Sequence, residues 1–81
     1  MLISKHAVRR YRQRFGKRTT SAHRVRRHIR NKIKYDTVKA YRSKTGSYNI
    51  VTDEFVAIVR GGVVTTVSHL HDNQRSITDG M

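Results

Sequence analysis

Cysteine is absent from all 81 residues, so neither a disulfide nor a thiolate metal site can reinforce the fold. Proline is absent as well, which rules out a Pro-rich linker. No apolar run approaches the roughly 20 residues that a membrane-spanning helix needs, and the opening Met1-Leu2-Ile3 is too short for the apolar region of a signal peptide. A soluble, cytoplasmic protein is expected. There is no internal repeat or low-complexity tract. Acidic residues are scarce: Asp36, Asp53, Glu54, Asp72 and Asp79 are all there are. They are scattered, and four of them fall in expected turns, loops or the tail, whereas two-metal nuclease chemistry needs clustered carboxylates. A chain this short forms one small domain that buries only about 60–65% of its unfolded surface.

What the sequence has in excess is positive charge, +13 net, and it is unevenly placed. Residues 1–34 hold 13 Lys or Arg and no acid, while from Tyr35 onward five basic residues balance five acids. A solvated helix surface normally mixes signs because like charges one turn apart repel, so this block calls for an external anion. Phosphate polymers are the commonest such anion, and the excess of Arg over Lys suits forked contacts to phosphate or to a guanine edge. An anionic membrane fits less well, because the apolar arcs of the same segment are needed for a core.

Within this segment the apolar spacing is helical. Ser4 is placed to cap a helix over residues 5–15, and Gly16 stands where a left-handed residue would end it. Ala7, Val8, Tyr11 and Phe15 share one arc. After a short linker, Thr20 or Ser21 caps a second helix whose stripe is Ala22, Val25, Ile29 and Ile33. After Asp36 the period changes to two and β-branched residues dominate, giving expected strands over 37–43, 47–52, 55–60 and 63–70. Thr45-Gly46, Asp53-Glu54 and Gly61-Gly62 form short joints, the last suited to a hairpin turn with positive φ. The expected fold is α+β: two N-terminal basic amphipathic helices packed on a four-stranded antiparallel meander, one domain over residues 1–71 with a polar tail over 72–81. Strict alternation puts Val51, Val56, Ile58, Val63 and Val67 on one face. Tyr48, Ile50, Phe55, Ala57, Val59, Val64, Thr66 and Ser68 then share the other.

The opening motif His6-Ala7-x-x-Arg10-x-x-x-Arg14, followed by a second helix and a meander, resembles the small proteins related to the RelE/ParE toxins. Phe55-Val56-Ala57-Ile58-Val59 and Val63-Val64-Thr65-Thr66-Val67 are similar to that family's closing hairpin. The likeness covers most of the chain. It implies a compact α+β domain acting on RNA, within a wider group of metal-independent ribonuclease folds that includes barnase, EndoU and the tRNase colicins. Some relatives cleave RNA, and others, such as the ParE branch, inhibit DNA gyrase.

The motif also makes physical sense. His6, Arg10 and Arg14 lie i, i+4, i+8 along one border of the apolar arc. RNA supplies its own 2′-OH nucleophile, His can move a proton near neutral pH, and Arg can stabilise charge growing on phosphate. Two readings of the trio stand: a catalytic stripe, or two phosphate contacts beside a packed histidine. Thr66 or His69 is the sheet residue that would complete a catalytic site, and alternation places these two on opposite faces unless a bulge re-aims one. His69, His71 and Asp72 offer a metal-site pattern, but two His without a convincing third ligand seldom hold zinc, and no metal or cofactor is expected. Arg9, Arg12, Lys17, Arg18, Arg24, Arg27, Arg30 and Lys34 are the candidate phosphate contacts, and Tyr48 the candidate for stacking on a base. The leading expectation is a small basic RNA-directed protein, a RelE-like metal-independent ribonuclease or toxin relative. The rival is a non-catalytic phage- or plasmid-type protein that binds RNA or DNA or blocks a host enzyme. A cognate acidic antitoxin or an acidic host protein would satisfy the same cations.

Overall fold

A computed structural model describes residues 1–17 and 19–70; the expected tail over 72–81 lies outside that range. The element order is β1 (Leu2–Ile3), α1 (Lys5–Arg14), α2 (Ala22–Tyr35), β2 (Thr37–Arg42), β3 (Tyr48–Thr52), β4 (Phe55–Arg60) and β5 (Val63–His69). Both helices form where the stripes place them. Ser4 Oγ accepts from the Ala7 amide at 3.0 Å, Ser21 Oγ accepts from the Arg24 amide at 3.2 Å, and Gly16 follows the end of α1 at φ +67°. None of the described helices is long and apolar enough to cross a membrane.

The α+β class holds, but the expected four-stranded antiparallel sheet does not. The sheet has five strands in the order β1-β5-β4-β3-β2, and β1 pairs parallel to β5. A two-residue strand carries too little alternation to register as a strand in the sequence. It forms because the chain enters beside β5: the Leu2 amide donates to Gly62 O and the Ser4 amide to Val64 O. Ser4 Oγ also donates to Thr65 O at 3.1 Å, so one side chain caps α1 and fixes it to the sheet. The parallel link is closed by the long excursion through α1, α2 and three strands, as parallel pairing requires.

The face assignment also needs correction. β4 and β5 shift register between Ile58 and Val59, so that Val64 pairs with Val59 while Thr66 pairs with Ile58. Thr65 is the extra residue of this bulge, and its hydroxyl donates to Ile58 O at 3.1 Å. A bulge reverses the alternation beyond it. Val64, Val67 and His69 therefore share the helix-covered face with Tyr48, Ile50, Phe55, Ala57 and Val59, whereas Thr66 and Ser68 join Val51, Val56 and Ile58 on the far face. The core lies under the helices: Ile3, Ala7, Val8, Tyr11, Val25 and Ile29 pack on Ile50, Phe55, Ala57, Val59, Val64 and Val67, with Phe15, Ala22 and Ile33 at its border.

The Gly61-Gly62 turn is as expected, with φ +57° and +77°. The less usual Asp53-Glu54 joint is made by Thr52. Its buried hydroxyl accepts from the Glu54 and Phe55 amides at 3.2 and 3.0 Å and donates to Phe55 O at 3.1 Å. That satisfies the amides a tight turn would otherwise leave open, and it presents Glu54 towards α2.

Candidate nucleic-acid interface

The carboxylates and cations of the described chain are unequally matched. Of the Lys and Arg residues described within 1–34, Lys32 is the one that reaches a carboxylate, with Asp53 at 3.0 Å and Asp36 at 3.6 Å. The other ion pair among the described residues joins His28 to Glu54. All three described acids thus lie along one flank of α2.

The opposite flank of α2 faces α1 across a groove of about 530 Å³. Val8 and Ala22 form an apolar floor, and Lys5, Arg9, Arg12 and Arg26 line the walls together with Gln13. No acid takes part. Helical spacing explains the convergence: Lys5, Arg9 and Arg12 recur at i, i+4 and i+7 along one side of α1. Arg26 is held against the mouth because its Nε donates to Ile3 O at 3.1 Å, so the edge strand β1 orients a groove cation. Arg12 Nε is buried without a hydrogen-bond partner. A guanidinium desolvated in this way gains most from an anion that approaches its remaining N–H groups.

A second pocket, about 340 Å³, lies where the end of α1, the linker and α2 meet the β3–β4 turn. Glu54 Oε1 is 2.8 Å from His28 Nε2 and accepts from the Tyr11 hydroxyl at 3.2 Å. Lys17, Thr20 and Arg24 complete the rim. Burial, together with the neighbouring Glu54 charge and its hydrogen bond, pushes the Tyr11 phenol up to about 12. Tyr11 and Phe15 stack at 4.8 Å between ring centres, and His28 meets Tyr11 at 5.4 Å.

The residues expected from the sequence divide among these places. Arg9 and Arg12 line the groove, and Lys17 and Arg24 rim the second pocket. Arg27, Arg30 and Lys34 are exposed on α2, where Arg27 Nη2 contacts His23 Nε2 at 3.0 Å. Arg18, His71 and Asp72 lie outside the described residues. Tyr48 is 42% exposed, and it sits on the helix-side face beside Arg42 and Val59, not with Thr66 and Ser68 as expected.

The five candidate catalytic residues are not gathered. His6, Arg10 and Arg14 do form a stripe, but 3.6 residues per turn puts it on the flank of α1 away from Lys5, Arg9 and Arg12. His69 is at the far end of that helix, with its ring 4.7 Å from Phe15. Phe15 stands nine positions after His6, about 13.5 Å along the axis. Thr66 projects from the opposite face of the sheet. Among the described residues His6 makes no side-chain hydrogen bond, and no group of three or more potential metal ligands occurs.

Lys5, Gln13 and Arg26 in the groove, and His28 with Glu54, are not among the site candidates that the sequence pattern marks. Arg26 borders the apolar stripe of α2 and so was legible in principle. The His28–Glu54 pair spans 26 positions and depends on the Thr52 turn. Comparison with known proteins returns no matching family model, no matching curated protein and no matching solved structure.

Proposed function

We propose that this protein binds nucleic acid, RNA first of all, by seating backbone phosphates in the groove between α1 and α2 and along the exposed cations of α2. The carrying observation is the groove itself: four cations converge over an apolar floor with no carboxylate among them. Lys5 and Arg9 are exposed while Arg12 and Arg26 are half-buried, and half-buried cations next to apolar surface attract phosphate more strongly than scattered surface lysines do, because less solvent screens them. The reading keeps the part of the RelE/ParE resemblance that this arrangement supports, a compact α+β domain directed at RNA. It does not draw on the His6 stripe as a catalytic centre, since the partners that stripe would need lie elsewhere. An acidic antitoxin or host protein, if there is one, would compete for the same cations.

Fluorescence anisotropy with labelled single-stranded RNA and duplex DNA of matched length tests the proposal. Saturable binding that weakens steeply between 50 and 200 mM salt is expected, by about 10³–10⁵ for duplex DNA if six to ten cations contact phosphate. Absence of binding at the lower salt, or an affinity indifferent to salt, would overturn it.

A further inference from the structure

We infer that the groove between α1 and α2 receives the phosphorylated end of a nucleic-acid strand, with its terminal phosphate seated among the groove cations; this rests on the nucleic-acid reading above and names which phosphate the groove takes.

Charge comes first. An internal phosphodiester carries one negative charge, whereas a terminal phosphate carries about −1.5 to −2 near neutral pH and offers three strong acceptor oxygens. Four cations and the Gln13 amide line the groove with no carboxylate among them. That is more donor capacity than one phosphodiester uses. Arg12 Nε is buried without a hydrogen-bond partner. Arg26 Nε is taken by Ile3 O at 3.1 Å, so Arg26 meets a ligand through its terminal nitrogens from a fixed position. Ala22 on the floor is the first residue of α2. The positive end of that helix dipole therefore lies at the groove, and the first turn of α2 holds no acid to offset it.

The cations are arranged for a terminus and not for a strand passing through. Lys5, Arg9 and Arg12 span roughly 10 Å along α1, and the row stops at neutral Gln13. Arg26 is tied beside Lys5 at one end of the groove through Ile3, and Gln13 and Ala22, both uncharged, mark the other. From Arg26 the row continues on α2 with Arg30 and Lys34 at i+4 and i+8. Both are exposed, and neither reaches a carboxylate among the described residues. Cations thus lead out of the groove along one helix only. A strand whose end occupies the groove has its following phosphates over Arg30 and Lys34.

The test is competition anisotropy with the full chain. One single-stranded RNA bearing a 5′-phosphate, a 3′-phosphate or hydroxyls at both ends displaces a labelled hydroxyl-ended copy. A hydroxyl-ended RNA longer by two nucleotides supplies the same added charge as internal phosphodiesters. At least one phosphorylated RNA is expected to bind about 10-fold or more tighter than this longer control, the effect of a further charge-assisted contact. The advantage is expected to vanish in Lys5→Gln with Arg9→Gln. It should persist in Arg30→Gln with Lys34→Gln, which weakens all the RNAs together. Phosphorylated RNAs that bind no better than the longer control overturn the inference and leave the binding proposal standing. So does an advantage that survives in the folded Lys5→Gln with Arg9→Gln variant, since the end then sits elsewhere. A free nucleoside monophosphate that displaces the label as well as the phosphorylated RNA does overturns the strand-end assignment in favour of a small-molecule site. Wild type that binds none of the RNAs overturns both readings. The ends are compared on wild type, so that result holds even if a variant fails to fold.

Discussion

Removing two groove cations should change how binding responds to salt in a calculable way. Lys5 and Arg9 line the groove and make no side-chain hydrogen bond or ion pair among the described residues, so Lys5→Gln with Arg9→Gln alters the ligand surface with little effect on the fold. Each phosphate contact to a single strand contributes about −0.7 to the slope of log K against log salt, so four groove contacts contribute about −2.8. Over the fourfold rise from 50 to 200 mM that is a loss of about 50-fold from the groove alone. The double variant should therefore bind with a slope shallower by about 1.4, and its groove contribution over the same range should fall to about 7-fold. The control is Lys39→Gln with Lys44→Gln, which removes the same charge from β2 and the following turn; its slope should stay within about 0.3 of wild type. Anisotropy titrations of one RNA at four salt concentrations give all three slopes. If both double variants lose slope equally, net charge and not the groove determines binding. If neither does, Lys5 and Arg9 do not touch phosphate and the groove assignment fails.

Two further outcomes concern the scaffold. The Tyr11 phenol is raised from 10.0 to about 12 in the folded state, so its contribution to stability is complete below about pH 10 and is lost as pH rises through 12. The full shift would correspond to about 2.7 kcal/mol, but Glu54 is about a third exposed and water screens part of it, leaving about 1–2 kcal/mol. Urea unfolding across that window should show this alkaline loss in wild type and not in Tyr11→Phe; parallel pH profiles would refute it. Ser4→Ala removes both the α1 cap and the link to Thr65 and should cost about 1–2 kcal/mol, against about 0.5–1 for Ser21→Ala, which removes an exposed cap only. Equal losses in thermal or urea melts would mean that the Ser4–Thr65 bond contributes nothing.

The parts of the fold legible in the sequence are those fixed by neighbours in the chain. Ala7, Val8 and Tyr11, and then Val25 and Ile29, mark buried helix faces because spacing alone determines what a helix presents. Gly61-Gly62 marks its hairpin because few other residue pairs adopt two successive positive φ values. What was not legible depends on partners distant in sequence. Leu2 and Ile3 become a strand only when β5 offers them an edge, and no local pattern reports that offer. The Thr65 bulge, unmarked by Gly, inverts every later residue of β5, so the strict alternation that unites Tyr48 with Thr66 runs across a break. The candidate site fared similarly. Charge alone marks Arg9 and Arg12, whereas His28 and Glu54 meet only after Thr52 has turned the chain back under α2.

The same turn gives the charge asymmetry a spatial meaning that the linear count lacks. Along the chain the excess belongs to residues 1–34, but an even spread over both helices would attract a polyanion from any side. Asp36, Asp53 and Glu54 instead meet α2 along the flank carrying Lys32 and His28, which compensates that side and leaves the groove side with cations only. A field of this kind is directional, and under the proposed binding it would orient a phosphate chain before contact as well as accelerate encounter. Glu54, the least exposed of the three described acids, is held to His28 and Tyr11. Paired in this way on the flank away from the groove, its charge repels a polyanion least where the cations stand without acids.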